Sequence, residues 1–323
     1  MKKLMAVVIV AAAAWGGYWF FTAHVLKSRL TTIIAEQRAA GWRVAYDALD
    51  VRGFPSRLDT RVEGLVLSPP DSGLTWTAPI FQINALSYRP NHVIAVWPPS
   101  QRLAVSGIEL TLTSADMRAS AVVRPTGALP LDRINMVIEA PVLSAPSWTL
   151  AADRALFAIR AQPGDAARYH VGADLHGMRL SAAEGAPPIR GALHLDATLL
   201  LDRPIDRHAM ASPLPAPRAI ELRAFHGEWN GVELRSDGTI TFDAAGRPTG
   251  ELTLRTSDWR AALEQARAAG ILTTETAARI AAALRLLAGA EELTLPLILD
   301  AGQARLGPVL LGPVPALRID QRQ

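Results

Sequence analysis

One feature constrains the fold more than any other: apolar and polar residues alternate along most of the chain. In 57–67, Leu58, Thr60, Val62 and Val66 alternate with Arg57, Asp59, Arg61 and Glu63. Ile108, Leu110 and Leu112 alternate with Glu109, Thr111 and Thr113. Tyr169, Val171, Ala173 and Leu175 alternate with His170, Asp174 and His176, and Leu193, Leu195, Leu199 and Leu201 with His194, Asp196 and Thr198. The pattern returns in 232–242 (Val232, Leu234, Ile240, Phe242) and in 250–256 (Leu252, Leu254). A period of two marks half-buried strands. One polar and one apolar face per strand points to antiparallel pairing. Turn chemistry separates the runs: SPPDSG (68–73), RPNH (89–92), WPPSQ (97–101), QPGD (162–165) and DAAGRPTG (243–250). The proline-rich link 202–218 is a candidate division of the sheet into two halves.

Helical spacing is scarce. Leu30, Ile33, Ile34 and Gln37 share a face in 27–40, with Gly41 as a stop. Ser257 is placed to cap a helix ending at Gly270. Thr273 or Thr274 is placed to cap a second, ending at Gly289, with Ile280, Ala283, Leu284 and Leu287 along one side. Burying apolar surface contributes about 25 cal/mol per Å², and so few helices cannot cover so many strands. The sheet must largely cover itself. The expected fold is mainly β: a long curled antiparallel sheet (trough, sandwich or partly open barrel) with an N-terminal transmembrane helix and two short C-terminal helices. An outer-membrane barrel fits poorly, because it would carry no retained N-terminal helix.

From Leu4 to Leu26 there is no Asp, Glu, Lys or Arg. At ~1.5 Å per residue that run covers roughly 34 Å, enough for a ~30 Å hydrocarbon core. A secretory signal normally has a shorter apolar region. Cleavage after Ala12–Ala13–Ala14 would leave Trp15, Trp19, Phe20 and Phe21 as an exposed aromatic stub. Those aromatics suit a membrane interface instead. The expected anchor is residues 1–26, carried by Leu4, Val8, Ala12, Trp15, Trp19, Phe20, Phe21 and Leu26 and flanked by Lys2, Lys3, Lys27 and Arg29. A cleaved signal is the rival reading. A juxtamembrane helix (27–41) and a β-rich domain (42–323) follow.

Lys2, Lys3 and Lys27 are the only lysines. Taking these three from the 33 basic residues leaves 30 arginines against 30 acidic residues, so the chain beyond the anchor is neutral. A neutral domain argues against nucleic acid, which needs clustered positive charge. With no cysteine there is no disulfide, thiolate nucleophile or Cys-bound zinc. His170, Asp174 and His176 share a strand face, as metal ligands can. Their parity reads instead as a solvated face, and so does that of His194 and Asp196. The motifs G-x-S-x-G, G-x-G-x-x-G, H-E-x-x-H and the P-loop are all absent. We therefore expect no catalytic residue, metal or cofactor, and no enzyme. Trp42, Trp76, Trp97, Trp148, Trp229 and Trp259 have two readings, rims of a lipid groove or ordinary packing.

Three stretches carry a resemblance: GFPSRLDTRVEGLVLSPP (53–70) with TWTAP (75–79), FDAAGRPTGELTL (242–254), and LTLPLILDAGQARLGPVLLGPVPAL (293–317). With the N-terminal anchor, the chain resembles the bacterial family called domain of unknown function 2125. That resemblance implies an inner-membrane-anchored envelope protein with its bulk in the periplasm, and supplies no catalytic residues. The amphipathic sheet is also distantly similar to AsmA-type lipid-handling proteins, a likeness of fold alone. Two functions then stand side by side. One is shielding a lipid or amphiphile on a concave apolar face. The other is docking a further envelope protein through sheet edges or helices. Membrane lipids are the expected partners in the first case.

Overall fold

In the computed structural model, the described residues are 1–70, 72–181, 188–209, 215–268, 273–287 and 293–317. Gly270 and Gly289, expected as helix stops, lie outside them. Among the described residues there are three helices: α1 (Lys2–Ala39), α2 (Trp259–Ala268) and α3 (Thr274–Leu287). The strands begin with β1 (Arg43–Ala45), β2 (Ala48–Arg52), β3 (Arg57–Ser68), β4 (Leu74–Leu86), β5 (Arg89–Val96), β6 (Ser100–Val105), β7 (Ile108–Thr113) and β8 (Asp116–Val123). Then come β9 (Leu131–Glu139), β10 (Val142–Ser144), β11 (Thr149–Ala151), β12 (Arg154–Gln162), β13 (Asp165–Ser181), β14 (Ile189–Leu201), β15 (Pro217–Trp229) and β16 (Val232–Phe242). The last are β17 (Pro248–Thr256), β18 (Leu293–Asp300), β19 (Gln303–Leu306) and β20 (Val309–Pro313). The chain is thus mainly β and antiparallel, with one long apolar helix at its N-terminus and two short helices near its C-terminus.

The chain divides into two units. The first is Met1–Val123 with Asn135–Ala152 and Ser181–Ala186; the second is Arg124–Ile134, Asp153–Leu180 and Pro187–Gln323. The proposed division at 202–218 falls inside the second unit, where that segment joins the paired strands β14 and β15.

In the first unit β3 is central. It pairs with β1 and β2 on one side and with β4 on the other. β4 continues to β5 and β6, β5 to β8, and β6 through β7 to β10 and β11. RPNH, expected as a turn, opens β5 instead; the reversal lies at Ser87–Tyr88. Leu58, Thr60 and Val62 are buried as the alternation requires. Val66 is not, and Leu65 takes the core position. The cause is Gly64, whose φ of 62° re-aims the strand as a bulge glycine does. Beside it the Asp47 amide donates to the Glu63 carbonyl at 2.8 Å, where β1 gives way to β2.

The same device recurs in the second unit. Gly177 has φ 60°, and the Asp153 amide donates to the His176 carbonyl at 2.9 Å at the head of β12. From β12 to β20 this unit is a meander in which each strand pairs with the next.

The anchor and the juxtamembrane helix, expected to continue from it, form one long helix, α1. It ends at Ala40, where Gly41 (φ 89°) terminates it as its sequence position implied. Along the first unit, Trp19, Ala23 and Leu26 pack on Leu58 and Val51, and Leu30 and Ile34 on the Leu49–Val62–Leu65 cluster. At α2 the cap is Asp258 rather than Ser257. Its Oδ1 accepts from the Arg260 and Ala261 amides at 3.0 Å each, whereas Ser257 Oγ accepts from Glu233. Thr273 caps α3 by accepting from the Thr276 amide at 3.2 Å. Trp259, Ile280 and Leu284 bury Leu295, with Leu306, Val309 and Leu311 packed around them.

Candidate functional site

The alternation in the second unit produces rows of side chains that cross the strands. One row runs Val171, Ala197, Leu222, Gly238, Leu252, Leu297 from β13 to β18. The next runs Tyr169, Leu199, Ile220, Ile240, Gly250, Leu299. Each row loses one side chain, at Gly238 and at Gly250. Neither glycine can be replaced without movement. Their φ values are 143° and 153°, and an added Cβ would lie 2.2 Å from the Glu251 carbonyl oxygen or 2.1 Å from that of Thr239.

An apolar groove of about 230 Å³ lies on this face. Val171, Leu195, Ala197, Leu199, Ile220, Leu222, Ile240 and Leu252 line it, and no polar surface contributes. Among the described residues, the face is covered at two places. Toward Leu254 and Leu295 the helices α2 and α3 cover it. Toward Tyr169, the cluster of Leu131, Ala161, Tyr169 and Leu201 fills it, and Val171 and Leu199 belong to both that cluster and the groove wall. Tyr169 is fully buried, and its hydroxyl oxygen accepts from the Ile205 amide at 2.8 Å. Burial pushes its phenol above the ordinary 10.0, and the Ile205 bond pulls it partly back.

The opposite parity holds the polar groups. His194 Nδ1 meets Asp174 Oδ1 at 2.6 Å, His170 Nε2 is 3.6 Å from Asp196, and His226 Nε2 is 3.8 Å from Glu233. These are cross-strand pairs of a half-exposed face, the sheet counterpart of surface ion pairs. His176 does not join them. Among the described residues no three His, Asp or Glu side chains lie close enough together to hold a metal ion. A shallow dish of about 480 Å³ is lined by Arg124, Asp132, Arg133, Arg160, Ala161 and Pro163. There Asp132 pairs with both Arg124 (3.5 Å) and Arg133 (3.0 Å).

None of the six domain tryptophans lines the groove. Trp76 donates to Gln101 Oε1 at 2.6 Å and packs edge-on to Phe81, which also meets Trp97. Trp259 belongs to the helix-covered core. Ala197, Ile220 and Leu222 are wall residues that the sequence reading passed over. The signal was present, because Ile220, Leu222 and Ala224 alternate with Glu221 and Arg223.

α1 is long and apolar enough to cross a membrane. Leu4, Val8 and Ala12 are exposed along it, and so are Phe20 and Phe21. Trp15, Trp19 and Leu26 have a second role, because they also touch the sheet. Trp15 Nε1 donates to Pro55 O at 2.9 Å and Trp19 Nε1 to Arg57 O at 2.6 Å, while Leu26 packs beside Leu58. Of the flanking charges, Lys27 pairs with Asp50 at 3.6 Å; Lys2, Lys3 and Arg29 are exposed.

A family model described as "Uncharacterized protein conserved in bacteria" matches residues 19–315, nearly the whole chain. Neither a curated protein nor a solved structure matches it.

Proposed function

The chain belongs to the bacterial family DUF2125, and from that premise we propose that it is a single-pass protein of the inner membrane whose periplasmic sheet binds the acyl chain of a lipid or similar amphiphile. The observation that carries this reading is the groove. Eight apolar side chains from five neighbouring strands surround it, and no polar atom lines it. Ligand sites ordinarily add a few polar groups that fix orientation. A wall without any suits a partner that is itself an undifferentiated hydrocarbon chain. Its volume exceeds the ~150 Å³ of a cavity known to take up benzene, so it has room for several methylene groups. Filling it removes exposed apolar surface at about 25 cal/mol per Å².

The test uses the full chain in vesicles of phosphatidylethanolamine and phosphatidylglycerol with a trace of phospholipid carrying a photoreactive group on its acyl chain. Peptides from α1 must be labelled if the helix is in the bilayer, which gives an internal reference. Labelling of peptides from β13–β17, lost in Leu222→Trp, is the expected result. Labelling confined to α1 would overturn groove binding and move the search to protein partners.

A further inference from the structure

The first unit carries an inference about the membrane itself, resting on the reading of α1 as an anchor. We infer that the β2–β3 and β4–β5 turns enter the bilayer interface together with α1, so that this unit is seated in the membrane surface rather than tethered above it.

The length of α1 sets the constraint. The first side chain of α1 to bond the sheet is Trp15, through Pro55 O. The helix ahead of it, from Lys2 to Ala14, extends only about 20 Å at ~1.5 Å per residue. A hydrocarbon core is about 30 Å thick, so the free part is about 10 Å too short to cross it. A tilt would shorten its reach further. The missing two turns of helix must come from residues 15–21, and Trp15, Tyr18, Trp19 and Phe20 among them are already docked on the sheet. Tyr18 OH donates to Ser87 O at 3.0 Å, Trp19 Nε1 donates to Arg57 O, and Phe20 stacks on Phe54 with centroids 5.6 Å apart. Whatever depth these residues reach, Phe54, Pro55 and Ser87 reach it too.

The surface at that end of the sheet is built for the position. Phe54 is 55% exposed and Tyr88 59%, beside Phe20 and Phe21 at 63% and 69%. Such a cluster of bare aromatics suits the headgroup level of a bilayer. Three polar side chains it would carry into a dry region are paired: the two indoles and the Tyr18 phenol donate to the turn carbonyls of Pro55 and Ser87 and to that of Arg57 at the start of β3. Arg52, Arg57 and Arg89 stand exposed just behind the turns, at the depth of lipid phosphates.

The cysteine-free chain makes the test direct. Single cysteines replace Val8, Phe54, Tyr88 and Ser72 in the full protein, reconstituted into phosphatidylethanolamine–phosphatidylglycerol vesicles and treated with a membrane-impermeant maleimide. Ser72, past the far end of β3, reports how much protein faces the reagent. Tyr88→Cys and Phe54→Cys should react at least about tenfold more slowly than Ser72→Cys, the factor that one unit of thiol pKa elevation gives by itself. Tyr88 decides the matter, because its exposure in the protein means that only lipid can slow it. If Val8→Cys is blocked while Tyr88→Cys reacts as fast as Ser72→Cys, seating is overturned and the anchor stands. If Val8→Cys also reacts freely, the anchor reading fails and the inference fails with it.

Discussion

The two units use one strand device and finish it differently. In each, an aspartate amide caps the carbonyl before a left-handed glycine, Asp47 with Glu63–Gly64 and Asp153 with His176–Gly177. Counting back from those glycines, Leu58 and Val171 hold the same place on their strands. Leu58 is buried under Trp19, Ala23 and Leu26 of α1. Val171 stands in the wall of an open groove. The strand pattern alone therefore does not decide between core and cavity. A helix laid on the face does, and the second unit brings its helices only to the end marked by Leu295.

Mutations test how far that difference holds. Leu58→Ala removes a side chain sealed between sheet and helix and should cost about 2–5 kcal/mol by chemical denaturation. An effect well below that range would mean the helix does not cover the face in solution. Tyr169→Phe leaves the Ile205 amide buried without its acceptor, at a cost of about 1–3 kcal/mol. The same variant has a pH signature. The raised phenol pKa means that its stabilising contribution is complete below the ordinary 10.0 and fades as pH rises through that value toward the folded one. Wild type should therefore lose stability steeply in alkali, and Tyr169→Phe should lose less. Gly64→Ala and Gly177→Ala should cost alike, about 1–2 kcal/mol each, if the two devices are equivalent; unequal losses would separate them. Val171→Ala, on the open face, should cost about 1 kcal/mol or less. A full core penalty there would show that the groove is covered in solution. The smallest effect belongs to Asp243, exposed in the β16–β17 turn. The Arg247 amide and guanidinium hold its carboxyl below the usual range. Its slight contribution is present above the ordinary carboxylate pKa and lost as pH falls through the lowered value, so thermal midpoints of Asp243→Asn and wild type should converge in acid.

Much of this was legible in the sequence, and the reason is local. Alternation at 169–176, 191–201 and 250–256 depends only on neighbours in the chain, and those runs became β13, β14 and β17; the exception is Thr198, expected outward and buried beside Ala197 where the register shifts. The length and apolar character of α1 were equally plain. Two kinds of fact were not. The burial of Leu65 in place of Val66 hangs on the φ of one glycine, which composition does not reveal. The docking of Trp15, Tyr18 and Trp19 depends on carbonyls some 40 to 70 residues away. An aromatic run beside an apolar helix looks the same in sequence whether it meets lipid, protein or both. The groove fell between these cases. Its walls could be read, but which of them face one another depends on the pairing of five strands from β13 to β17, which no single run reveals.

β17 and β18 are hydrogen-bonded neighbours even though α2 and α3 lie between them in sequence. The ladder resumes at Leu293 opposite Thr256, where it left off. The helical pair is in effect an oversized hairpin turn folded back over its own sheet. Closing such an excursion costs little more as it lengthens. Relatives could therefore extend or trim it without disturbing a single strand. What would change is how far the helices reach along the sheet face from Leu295 toward Leu252. The area of sheet that is covered is thus adjustable independently of the scaffold that carries it.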